Sequence, residues 1–310
     1  MTLDDRIRGA ETRLFARYGL RPEESYADTG PARVRLRVLS VGDGPPLVML
    51  HGVTLAAGVW APWLTELTGY RAHLVELPGH GLSEPLRYRP GAVRGPSLAL
   101  MDGLFDALGL AAAPVVAHSL GGMFALWYAA ARPERIASLV AIGEPAAALP
   151  GVAVRLPLSL LTVPGLGYAM LRSRSPRPVF RRLLAQGLSP AAAAGAPDEL
   201  VDVLRLTASR PGNARTVASL MPAIDHFRQP RPEMALTDGE LGQITAPAMF
   251  VIGTDDPFLS PGQARPSVAK IPGAVLHEVP GGHGPWLDDP AGCARLVTGH
   301  LAATGFAPAV

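Results

Sequence analysis

The stretch Pro114-Val115-Val116-Ala117-His118-Ser119-Leu120-Gly121-Gly122 constrains this chain more than any other. A β-branched apolar run stops at a serine with small residues two positions to either side. An apolar, alanine-rich segment of helical character follows from Met123 to Arg132. That order predicts a strand, a sharp turn with Ser119 at its tip, and a helix. The pattern Ala117-x-Ser119-x-Gly121 is a nucleophile elbow with alanine for the first glycine. Larger side chains at the flanking positions would clash with the adjoining strand and helix. The turn also sets the serine at a helix N-terminus, where backbone N–H groups without intrahelical partners can stabilise an oxyanion. The five-residue pattern recurs by chance in a chain this rich in Ala and Gly, so the remaining residues must decide.

Composition narrows the classes. A chain of 310 residues, 48% hydrophobic and 17% charged, can bury a sizeable core and is not disordered. The formal net charge is only +2, and the cations are arginines apart from Lys270. Such a balance creates no global basic field for a polyanion, so nucleic acid is not an expected partner. The single cysteine, Cys293, excludes an internal disulfide and a cysteine metal cluster. Asp4, Asp5, Arg6 and Arg8 leave no apolar targeting segment near Met1, and the cytoplasm is the expected compartment. The apolar window 151–171 is interrupted by Pro157, Pro164, Gly165 and Gly167, so no membrane span is expected.

In chain order, Leu3, Ile7, Ala10, Leu14 and Tyr18 fall on one stripe of a helix over about 3–18, either docked on the core or offered to a second copy in a homodimer. Residues 33–38 alternate strictly, which predicts an antiparallel strand with one wet face. Leu47–Leu50 reads as a strand buried on both faces and ends in His51-Gly52-Val53-Thr54. A strand over 72–77 runs into Pro78-Gly79-His80-Gly81-Leu82-Ser83. A helix over 95–108, the elbow, and a strand over 135–142 ending at Gly143-Glu144-Pro145 follow. From 146 to 240 the alternation stops. Helical segments at 180–186, 198–209 and 216–227 are broken by Pro and Gly, with no convincing strand. Strands over 248–253 and 274–279 and a closing helix over 291–303 resume the pattern. The expected class is therefore α/β: a mostly parallel central sheet flanked by helices, with a core of 1–145 and 241–310 and a helical cap insertion of 146–240.

A serine hydroxyl needs a base to take its proton and a third group to orient that base. Gly253-Thr254-Asp255-Asp256-Pro257 and Gly281-Gly282-His283-Gly284-Pro285-Trp286 follow the two late strands, where ligand sites of open α/β sheets lie. The order Ser119, Asp256, His283 is that of the hydrolases. With these motifs the chain resembles an α/β-hydrolase of the capped esterase, haloperoxidase and epoxide-hydrolase-like branch, over residues 25 to 305. The resemblance implies Ser119 as nucleophile, His283 as base and Asp256 as orienting acid, with the N–H groups of Val53 and Leu120 as oxyanion hole. Glu144, at the end of the strand before the insertion, stands where some members carry their acid. It is the alternative acid or a pocket residue, and His118 and Trp286 are further pocket candidates. His51 and His80 read as structural, Asp255 as a solvated neighbour of Asp256, and Cys293 as inert. Glu76 replaces the aspartate usual before the Pro-Gly-x-Gly turn. Arg172, Arg174, Arg177, Arg181 and Arg182 read as a solvated face, with a docking patch for an acidic or phosphopantetheine-bearing substrate as the alternative.

Serine at the elbow, where epoxide hydrolases and dehalogenases use aspartate, points away from those chemistries. The expected function is a serine hydrolase cleaving an ester, thioester or lactone through an acyl-enzyme, without cofactor or metal. Its small-molecule substrate carries an apolar acyl part lodged against Leu156, Leu158, Leu160, Leu161, Val163 and Met170. A non-hydrolytic cyclase, acyltransferase or lyase on the same scaffold is the alternative, and a binding protein of this fold would have lost a member of the triad.

Overall fold

The computed structural model describes residues 1–309. Its 8-stranded sheet is built, in chain order, from β1 (Glu23–Asp28), β2 (Arg35–Val41), β3 (Pro46–Leu50), β4 (Arg71–Val75), β5 (Ala113–His118) and β6 (Ile136–Ile142). A two-residue ribbon of β7 (Asp225–His226) and β8 (Gln229–Pro230) stands apart from it. The strands β9 (Ala248–Gly253) and β10 (Val275–Val279) complete the sheet in the spatial order β1-β2-β4-β3-β5-β6-β9-β10. The pairs β1/β2 and β2/β4 are antiparallel, and every pairing from β4 to β10 is parallel. The expected fold class is thus observed.

Alternate residues of one strand feed opposite cores. Val48 and Leu50 of β3 join one buried cluster with the helices Arg94–Ala107 and Leu120–Ala131, whereas Leu47 and Met49 join a second with Leu3–Arg17 and Pro290–Ala303. The helix Leu120–Ala131 is buried from Leu120 to Ala129, which keeps the serine turn at its N-terminus rigidly seated.

Two departures from expectation have local causes. The polar sequence of β1 shows no alternation, and only Ala27 of that strand is buried, so sequence pattern could not find it. Strand β2 is antiparallel as expected, but it has no wet face, because the helix Leu3–Arg17 lies over it. Arg37 is 3% exposed and its guanidinium donates to Glu11 at 2.8 and 2.9 Å, to Glu24 at 3.2 Å and to Glu76 at 3.3 Å. The helix is capped by a reciprocal Thr2–Asp5 pair. Ile7, Ala10 and Leu14 are buried within this chain, and the helix packs on Asp198–Ala208, so this stripe is not a free dimer face.

Between β6 and β9 the chain forms the helices Leu166–Arg172, Arg177–Gly187, Pro190–Gly195, Asp198–Ala208 and Pro211–Ile224, together with the small ribbon that sequence did not anticipate. The last of these helices was expected to reach Phe227. It stops at Ile224 because Asp225 is extended and Phe227, at φ 63°, turns the chain back into the ribbon. Among the described residues no helix is long and apolar enough to cross a membrane. The arginine run is largely committed. Arg172 donates to the Ser209 carbonyl, Arg177 pairs with Asp198 and Asp202, and Arg181 pairs with Asp198 and donates to the carbonyls of Ala193 and Ala196. These bonds tie the helices of this segment to one another, while Arg174 and Arg182 stay exposed, in keeping with a solvated face.

Candidate active site

Ser119 ends β5 with φ 50° and ψ −113°, a conformation that non-glycine residues rarely hold and that concentrates at functional turns. The sequence requirement for a small residue at 121 has a visible cause. A Cβ there would lie 2.6 Å from both the Cβ and the carbonyl oxygen of Leu50. The Gly121 amide donates to the His51 carbonyl at 3.2 Å, which pins the turn to the loop after β3.

Asp256 and His283 sit on the loops after β9 and β10. Gly253 has no room for a side chain, since a Cβ would run into the carbonyls of Gly281 and Gly282; the two loops are therefore in backbone contact. The His283 Nδ1–H donates to Asp256 Oδ2 at 2.8 Å. Asp256 also accepts from the Glu144 amide at 3.0 Å through Oδ2 and from the Phe258 amide at 3.0 Å through Oδ1. Burial alone would raise this carboxyl, but the facing His283 and these three hydrogen bonds outweigh it and hold the group below its ordinary value. With Nδ1 donating, Nε2 of His283 is the basic nitrogen. The ring is wedged between Phe258, edge-on at 4.6 Å, and His118 at 4.5 Å, and the His283 amide donates to the Leu188 carbonyl at 2.7 Å.

Glu144 lies on the other side of the imidazole. Its Oε2 is 4.0 Å from His283 Nε2, and its Oε1 has no hydrogen-bond partner among the described residues. Burial and the neighbouring charge of Asp256 push this carboxyl well above its usual range, which favours its protonated form. It makes no bond to Nδ1, the position Asp256 occupies.

The amides of Val53 and Leu120 donate to no other described residue. The loop carrying Val53 is held by two neutral histidines. His51 donates from Nδ1 to the Gly52 carbonyl at 2.8 Å and accepts the Leu77 amide at 3.2 Å. His80 donates to the Pro78 carbonyl at 3.0 Å and accepts the Thr54 amide at 3.2 Å. Burial lowers their pKa values to about 3 and about 4, consistent with the structural reading.

Ser119, His118, Glu144 and His283 line one cavity of about 210 Å³ that lies against the inserted segment. Val53 and Leu120 border it too, with apolar walls from Leu156, Leu158, Leu161 and Met170; Leu160 and Val163 do not reach it. Trp286 does not line it. It is fully buried against Trp60 at 4.7 Å and His118 at 4.6 Å, one layer behind, because α/β packing draws its indole under the His283 loop. His118 donates from Nε2 to the His283 carbonyl at 3.0 Å and so braces the His283 loop. Asp255 is exposed and Cys293 is buried, its thiol pushed up to about 12 by burial. Sequence reading missed Phe258, whose ring orients His283, and Asp225, a cavity-lining carboxylate that only the end of the helix Pro211–Ile224 brings there.

The profile of the alpha/beta hydrolase fold matches residues 45–290. A pimeloyl-[acyl-carrier protein] methyl ester esterase of Chromobacterium violaceum is 29% identical over 286 residues, covering 86% of this chain and 98% of that protein. A 2-hydroxy-6-oxononadienedioate/2-hydroxy-6-oxononatrienedioate hydrolase of Dechloromonas aromatica is 25% identical over 261 residues, covering 80% and 83%. The crystal structure of the carboxylesterase CesB from Bacillus subtilis superimposes with a TM-score of 0.77 at 20% identity, over 98% of this chain and 99% of that one. With a family match running from β3 through the Ser119 turn to the His283 loop, this chain belongs to the α/β-hydrolase fold family.

Proposed function

We propose that this protein is a serine carboxylic ester hydrolase whose nucleophile is Ser119, base His283 and orienting acid Asp256. The carrying observation is the 2.8 Å bond from His283 Nδ1 to Asp256, made by an imidazole that lines the same cavity as Ser119 on its strained elbow. Ser119 Oγ attacks the ester carbonyl while Nε2 of His283 takes the hydroxyl proton. The oxyanion of the tetrahedral intermediate is held by the amides of Val53 and Leu120. His283 returns the proton to the leaving alcohol, and water, activated by the same nitrogen, then cleaves the acyl-enzyme. Asp256 stays ionised throughout and stabilises the imidazolium. No step requires a cofactor.

Residues 146–240 act in this reading as a helical cap whose apolar side lodges the acyl group of a small-molecule substrate. An esterase among the relatives supports ester chemistry. The dioate hydrolase among them raises carbon–carbon bond hydrolysis as a second reading, and against it stands the buried Asp225 carboxylate on the cavity wall.

A p-nitrophenyl ester series from acetate upward tests the assignment. Each methylene that becomes buried should add up to about 0.8 kcal/mol, roughly fourfold in kcat/KM, until the cavity fills. A serine-directed phosphonate should abolish turnover. A profile flat or falling from acetate would contradict an apolar acyl site.

A further inference from the structure

We propose that Asp225 is the recognition group of this cavity and takes a hydrogen-bond donor, an ammonium first and a hydroxyl second, carried on the apolar part of the substrate. The inference deepens the esterase reading and rests on it for the word substrate; the binding itself does not depend on catalysis.

Asp225 follows the helix Pro211–Ile224 and pairs with Pro230 in the ribbon. It is 1% exposed, lines the same cavity as Ser119 and His283, and beyond the adjacent His226 amide no described residue is placed to donate to its carboxylate. Buried carboxylates are as a rule paired or hydrogen-bonded, because an unsatisfied one forfeits its hydration without return. A structural ion pair would need a cation, and the neighbouring one is turned away: Arg231 donates from Nε to the Pro222 carbonyl at 3.0 Å, while His226 is exposed. The walls beside Asp225 are Met221, Ile224 and Pro230, which offer no side-chain donor. The partner that fits is an occupant of the cavity.

The two unassigned carboxyls of the cavity differ in polarity. Burial, and then the charge of Asp256, favour the protonated form of Glu144, which can donate. Burial raises Asp225 only to about 6, with the His226 amide and the charges of His226 and Arg231 pulling the other way, so at pH 8 it is ionised and accepts. An ammonium finds its counter-charge at Asp225 in an apolar surround, where charge-assisted hydrogen bonds are strongest. A carboxylate in the same place meets repulsion.

The test is calorimetric titration at pH 8 of n-hexylamine, n-hexanol and hexanoate into the wild-type protein and into Asp225→Asn, Asp225→Leu and Glu144→Gln, with melting curves to establish folding. Hexylamine should bind the wild type about tenfold or more tighter than hexanoate, with hexanol between. Asp225→Asn should erase most of that ratio, Asp225→Leu should reverse the order of amine and alcohol, and Glu144→Gln should keep the ratio. An amine preference that survives both Asp225 variants, one lost only in Glu144→Gln, or no preference at all, overturns the assignment. The p-nitrophenyl esters of 6-aminohexanoate and heptanoate separate the two claims. Turnover of the alkyl ester without amine preference sinks the Asp225 site alone. Amine binding without turnover of either ester sinks the esterase reading alone.

Discussion

Replacing Asp256 by asparagine isolates the acid with little change of shape, and the structure fixes what it costs. The carboxylate accepts three hydrogen bonds, from His283 Nδ1, the Glu144 amide and the Phe258 amide. An asparagine has one acceptor oxygen and one NH₂ donor for the same two positions. With its oxygen facing His283 and Glu144, the NH₂ opposes the Phe258 N–H. With the group flipped, Phe258 is satisfied, but the NH₂ opposes the Glu144 N–H and donates to Nδ1. That second arrangement moves the imidazole proton to Nε2, the nitrogen that in the proposed mechanism accepts the Ser119 proton. Either way one buried N–H loses its partner, at about 1–3 kcal/mol of stability, and the imidazolium loses its counter-charge. The kcat for a p-nitrophenyl ester should fall by up to ~10⁴, about 5.4 kcal/mol in activation free energy. Glu144→Gln, which touches Nδ1 nowhere, should stay within roughly tenfold of wild type. Steady-state kcat measured on both variants, beside their melting curves, decides the matter. If Glu144→Gln is the crippled one while both variants remain folded, Glu144 is the acid and the reasoning from hydrogen bonds to Asp256 is wrong.

Three further outcomes follow from the same geometry. The Glu144 carboxyl has a raised pKa in the folded state, so wild-type stability is fully present below the unfolded value of 4.5 and is lost as pH rises from there through the folded pKa. The Tm of Glu144→Gln relative to wild type should therefore climb as pH rises above about 4.5, and a pH-independent difference would contradict a raised buried carboxyl. Arg37→Leu strands the carboxylates of Glu11 and Glu76 in the interior and should cost about 3–5 kcal/mol in urea unfolding, against under about 1 kcal/mol for an exposed ion pair such as Arg265–Glu278. Gly121→Val drives a branched side chain into Leu50 and should yield insoluble or strongly destabilised protein; a soluble variant with wild-type melting would refute the steric reading of the elbow.

What the sequence disclosed, it disclosed through short-range constraints. The β-branched run ending at Ser119, the glycines that let the 253 and 281–282 loops touch, and the apolar periods of the central strands are local necessities that survive in one dimension. The strand β1 left no such trace, since an edge strand with one buried residue needs no alternation. Arg37 reads as solvated because its period-two partners Arg33 and Arg35 are charged while Leu36 and Val38 are apolar, and only the tertiary placement of Glu11, 26 residues earlier, makes a buried arginine tolerable. Trp286 followed the base by three positions and read as a pocket residue, yet its burial against Trp60 depends on a helix start more than two hundred residues upstream. Asp225 carried no signal, because its meaning comes from where the preceding helix ends and from the absence of a described donor near it beyond the adjacent His226 amide. The assignment of Asp256 over Glu144 rested in sequence on turn chemistry; the three hydrogen bonds that Asp256 accepts now argue for it.

The central claim is that Ser119 is the nucleophile of an acyl-enzyme. Incubation with a fluorophosphonate, followed by intact mass and peptide mapping, tests it most directly. One adduct per chain, located on Ser119, absent from Ser119→Ala and strongly slowed in a His283 variant, is the predicted result. An adduct on another residue, or undiminished labelling of Ser119→Ala, would contradict it.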